Sequence, residues 1–181
     1  MRLKNLFLIA SLSCSALLMA DSGNLANVQI GYSANDTESP YINSGNRSGF
    51  YVGTDLMYTG YWGFGIGLGL DANAWKAKDA TGVYSDGYSM YTVGSTAKVG
   101  YSFQKQFDIP IQLKTGYGYG VAWRGDKRGS GAQYESSVEY TVFEDIGFGV
   151  KYKRSKASIG SDTADTEVKS IIGYFYFGTG W

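Results

Sequence analysis

Residues 63–75, GFGIGLGLDANAW, set glycine at Gly63, Gly65, Gly67 and Gly69 in strict alternation with Phe64, Ile66, Leu68 and Leu70. Successive side chains of a strand point to opposite faces, so this segment has one apolar face and one bare face. Glycine inside a strand costs backbone entropy and packs nothing, so the pattern implies that other groups need the vacated space.

The same period of two recurs along the chain. Phe50, Val52, Thr54, Leu56 and Tyr58 oppose Tyr51, Gly53, Asp55 and Met57, and Tyr91, Val93, Ala97, Val99 and Tyr101 oppose Thr92, Gly94, Thr96, Lys98 and Gly100. Leu113, Tyr117, Tyr119 and Val121 oppose Gln112, Lys114, Gly116, Gly118 and Gly120, while Ile146, Phe148, Val150 and Tyr152 oppose Gly147, Gly149, Lys151 and Lys153. Weaker strands run through Val28–Tyr32 and Val138–Val142, and a last one from about Val168 to Trp181, which makes eight in all. The 26 glycines and 16 tyrosines against only 2 prolines fit the same all-β reading.

Residues 1–20 follow a different rule. Arg2 and Lys4 precede an apolar stretch from Leu6 to Leu18, and Leu18-Met19-Ala20 offers a cleavage site before Asp21, the organisation of an export signal. The stretch falls short of the ~20 residues that span a bilayer as a helix. The division expected is therefore 1–20 signal peptide and 21–181 barrel domain. The only cysteine, Cys14, lies inside the signal, which leaves a mature chain without disulfides or thiolate metal sites. Removing two basic residues with the signal leaves 14 basic against 16 acidic, too near balance for a nucleic-acid partner.

The connections alternate. Residues 33–48, 76–87, 124–133 and 154–166 are long and polar, whereas those near Thr59–Trp62, Gln104–Asp108 and Glu144-Asp145 are short. An up-and-down barrel gives this alternation, because successive connections fall on opposite rims. Strands longer than those of soluble sheets, with one uniformly apolar face, suit a lipid surround, where a sheet must close on itself to satisfy its backbone. A soluble lipocalin-like barrel would turn the apolar face inward and leave glycine facing water, a poor surface. The fold expected is an eight-stranded antiparallel up-and-down transmembrane β-barrel. Its narrow inside would hold Asp55, Asp71, Lys98, Lys114, Glu139 and Lys151, with the inward glycines making room for them. Serine at Gly67 is expected to be tolerated better than arginine at the lipid-facing Leu68.

The final segment, KSIIGYFYFGTGW, sets Ile171, Phe175, Phe177 and Trp181 on one face. It resembles the C-terminal assembly signal of bacterial outer-membrane β-barrels, and the mature chain as a whole is similar to the small OmpA/OmpX-type barrels. The terminal Trp181 departs from the commoner Phe, and no periplasmic wall-binding domain of the kind attached to the larger members is expected. The resemblance implies a multi-pass place in the Gram-negative outer membrane, reached through the barrel-assembly machinery, among lipid and lipopolysaccharide.

No histidine is present, which removes the usual general base of hydrolases in such barrels. The glycine runs are spaced by two and open no helix, so they are not nucleotide loops, and Asp162, Asp165 and Glu167 lack EF-hand spacing. No enzyme activity and no cofactor are expected. Arg124-Gly125-Asp126, followed by Lys127 and Arg128, is a loop motif that a host receptor or lipopolysaccharide phosphates could engage. The reading is a non-enzymatic cell-surface protein with a structural or adhesion-type role through four extracellular loops; the alternative is a porin-like narrow pore for small solutes through the charged lumen.

Overall fold

The computed structural model describes residues 24–38, 47–78, 84–125, 127–143, 145–159 and 165–179. The export segment, Asp126 and Trp181 lie outside the described residues. Eight strands follow in chain order: β1 (Asn24–Glu38), β2 (Arg47–Thr59), β3 (Phe64–Lys78), β4 (Tyr84–Ser102), β5 (Ile111–Arg124), β6 (Lys127–Phe143), β7 (Ile146–Ile159) and β8 (Thr166–Thr179). Each pairs antiparallel with the next, and β1 pairs with β8 to close the barrel. Closure leaves no edge, as lipid demands.

The register fixes the slant. A ring of paired residues leaving β2 at Arg47 passes through Asn35, Ser170, Lys153, Glu135, Gly116, Lys98 and Gly67. It returns to β2 at Met57, ten residues along. A ten-residue stagger over eight strands corresponds to a tilt of about 40° and an interior just wide enough for side chains. Along that ring glycine alternates with a long side chain from Met57 to Glu135, which is why the bare faces exist: a narrow tube cannot hold long residues on every strand.

The outward face is apolar around the wall. Ile30, Phe50, Leu56, Ile66, Leu68, Leu70, Val99, Leu113, Val138, Val150, Ile171 and Phe175 are all exposed, Leu68 at 61% and Phe175 at 65%. At the short-turn rim, Phe64 and Tyr101 stack edge-on at 4.8 Å, and Tyr61 meets Trp62 at 5.7 Å, an aromatic girdle at the membrane boundary. The turn after β2 uses Gly63 at φ 82, a conformation glycine adopts without strain. A one-turn helix, α1 (Gln104–Phe107), forms the connection from β4 to β5.

Two sequence readings are corrected by the strands. The segment 124–133 is not a long loop: Arg124 pairs with Lys127 across a tight turn at Gly125, φ 61, and β6 runs for 17 residues from there. Most of 154–166 is likewise strand, since β7 reaches Ile159 and β8 starts at Thr166. At Gly67 a Cβ would run into the Leu56 carbonyl oxygen and lie 2.6 Å from Met57 Sδ, so serine there carries a packing cost of its own.

Candidate functional site

The lumen is built from the strand faces that carry glycine and charge. A methyl group at Gly69 would lie 2.6 Å from Lys98 Nζ, one at Gly149 2.6 Å from the Tyr174 ring, and one at Gly120 2.8 Å from Gln133 Oε1. The bare positions are thus filled by the side chains of neighbouring strands.

Asp55, Asp71, Lys98, Lys114, Glu139 and Lys151 all point inward and are buried, Asp55 and Lys151 to 1% exposure. Asp55 is the hub. It pairs with Lys98, accepts from Lys114 Nζ at 3.2 Å and accepts from Gln29 Nε2 at 2.9 Å. Lys114 also donates to Glu139 at 2.7 Å, and Glu139 accepts from the Tyr174 hydroxyl at 2.7 Å. Lys151 donates to Gln29 at 3.0 Å and to the Tyr51 hydroxyl at 2.6 Å, and its ammonium sits 5.0 Å over the Tyr51 ring.

Two members escaped the sequence reading. Glu135 faces Lys98 at 2.5 Å and Lys151 at 3.5 Å, and Lys153 grips both oxygens of Asp71 at 2.7 and 2.8 Å. Lys153 showed on the inward face of its strand in the sequence, but Glu135 falls between the loop read over 124–133 and the strand read from Val138. With them, four carboxylates meet four lysines, so the charge of this layer balances.

Above this layer Ser33, Asn35, Asn73 and Ser170 close a ring of hydrogen bonds of 2.7–2.8 Å. Above that, toward the end bearing the β1–β2, β3–β4, β5–β6 and β7–β8 connections, Trp75, Met90, Ala122, Ala157, Ile159 and Val168 form one buried apolar cluster, with Thr37, Thr92, Arg124 and Thr166 buried at the same level. A void of about 10 Å³ between Thr92, Gly120 and Gln133 is at or below the space one water needs. The barrel is plugged twice, by ion pairs and by an apolar seal.

The outward faces of the strand ends carry a second set of charges. Arg154 forks onto Glu167 at 2.7 and 3.0 Å, Lys156 faces the same carboxylate at 3.7 Å, and Lys169 reaches Glu38 at 2.6 Å. At the β5–β6 tip Lys127 and Arg128 are exposed. Arg124 is not available to a receptor at that tip: it is 6% exposed and lies on the inward face of β5. Ile171, Phe175 and Phe177 share the outward face of β8, where the sequence reading placed them.

A closed antiparallel wall of eight strands, apolar outside and packed with paired charge inside, defines the small outer-membrane β-barrels, and this chain has their fold. Neisserial surface protein A superposes with a TM-score of 0.62 at 12% identity, over 86% of this chain and 97% of that one. Ail, the attachment invasion locus protein of Yersinia pestis, crystallised with the heparin analogue sucrose octasulfate, gives 0.58 at 12% identity over 87% and 99%. The outer membrane protein OprG of Pseudomonas aeruginosa gives 0.52 at 13% identity over 88% and 97%. No protein-family model and no curated protein matches the sequence.

Proposed function

We propose that residues 1–20 export the chain, that the barrel sits in the bacterial outer membrane with its β1–β2, β3–β4, β5–β6 and β7–β8 connections outside, and that it is a non-enzymatic surface-interaction protein. The observation that carries this reading is the doubly plugged lumen beneath strands that continue, charged, beyond the apolar belt. Such a molecule can act on what it meets at its outer rim, not on what passes through it. Assembly through the signal of Ile171, Phe175, Phe177 and Trp181 belongs to the same reading.

Ail was captured with a sulfated ligand, which supports a sulfated polyanion as the partner class here. In this chain Lys127 and Arg128, not Arg124, are the exposed cations at the tip. Cells displaying the protein are expected to be retained on immobilised heparin. Lys127→Glu with Arg128→Glu is expected to abolish most of that retention, since counter-charge contacts dominate polyanion binding. Cysteine at Arg128 should react with an impermeant thiol reagent on intact cells and cysteine at Asp145 should not. Equal retention by the double variant would remove the ligand class, and labelling at position 145 alone would invert the topology.

A further inference from the structure

On the outer wall of β1–β4 the side chains form an amphiphilic slot. One rung of the register runs Tyr32, Phe50, Ala74, Tyr91; above it Lys76 pairs with Ser89, and Ser48 lines the same concavity. Ala74 is the short floor, Tyr32 and Phe50 make one wall as an edge-to-face pair at 6.5 Å, and Tyr91 makes the other. The concavity is about 640 Å³, with Lys76 at its upper end between two hydroxyls.

Lys76 differs from the outward cations across the barrel. Arg154, Lys156 and Lys169 each face Glu167 or Glu38, whereas Lys76 is exposed and has no carboxylate partner among the described residues. An ammonium with no carboxylate partner among the described residues, flanked by hydroxyls and directly above an aromatic slot on the apolar outer wall, is complementary to a phosphate borne on acyl chains.

We infer that this slot binds the phosphorylated glycolipid of the outer leaflet, one phosphate of lipid A on Lys76, Ser48 and Ser89 and an acyl chain between Phe50 and Tyr91. The choice of that leaflet rests on the outer-membrane orientation proposed above, which places Lys76 at the external boundary. The site makes no use of the lumen or of the β5–β6 tip.

The test is native mass spectrometry of the full barrel refolded in zwitterionic micelles and titrated with bis-phosphorylated lipid A. Lys76→Glu is expected to weaken binding about tenfold, since a repulsive charge replaces a charge-assisted contact. Ala74→Trp, which fills the slot and leaves the cation, should weaken it too. Lys156→Gln, which removes an already paired ammonium, should bind as the parent does. Lipid A stripped of phosphate should bind the parent and Lys76→Glu alike. Retarded gel migration on boiling certifies that each variant is folded. Equal affinity of folded Lys76→Glu for bis-phosphorylated lipid A overturns the site, as does preferential binding of phosphatidylethanolamine. Cell fractionation reads the outer-membrane placement separately, so that reading and this site fail in different experiments.

Discussion

Asp55→Ala is expected to destabilise the folded barrel by about 3–5 kcal/mol, measured by urea unfolding in micelles, because removing one partner strands buried charge. The carboxylate serves both Lys98 and Lys114, so its loss leaves two ammonium groups in the lumen with fewer acceptors, and Gln29 loses one as well. The cost comes from desolvation that is no longer compensated, not from the Coulomb attraction of a pair in water. By contrast Lys169→Gln, which breaks a pair at the solvated rim, should leave stability nearly unchanged, because water and salt screen an exposed pair. Equal effects of the two substitutions would show that the lumen is wet enough to screen its charges.

The second large effect is on the opposite face. Leu68 is exposed on the wall between Leu56 and Ala97, and arginine there should cost about 2–4 kcal/mol if it meets the bilayer midplane. Leu68→Phe, which keeps the surface apolar, should be tolerated. At the adjacent inward position Gly67→Ser should cost about 1–3 kcal/mol by overpacking against Met57. Neighbouring residues thus fail for different reasons, one for polarity and one for volume. Indifference of the barrel to arginine at position 68 would mean that this face does not meet lipid.

Much of this architecture is legible in the sequence because it is written at short range. The alternation from Gly63 to Trp75, and the similar faces of β2, β4, β5 and β7, depend only on residues two apart, and they give the strands, their number and which face meets lipid. What the sequence hid depends on partners far along the chain. The stretch 124–133 is glycine-rich and polar and reads as loop, yet from Lys127 onward it is held extended between β5 and β7. Misreading it concealed Glu135, the carboxylate that ties Lys98 to Lys151. The apolar seal was hidden for the same cause, since Ala157, Ile159 and Val168 lie in or beside the segment read as the last long loop. The lumen charges showed as inward positions, but their pairings did not: Lys151 and Gln29 are 122 residues apart and meet only once β8 closes on β1.

The claim that the plugged lumen leaves function to the outer surface is tested most directly by recording from the purified barrel in a planar bilayer. Ion pairs around Asp55 and the apolar cluster from Trp75 to Ile159 block the interior at successive levels. The expected record is therefore silent, or shows rare flickers that are the same after Lys114→Glu. Frequent, stable openings whose ion selectivity changes with Lys114→Glu would contradict the account and make the lumen a pore.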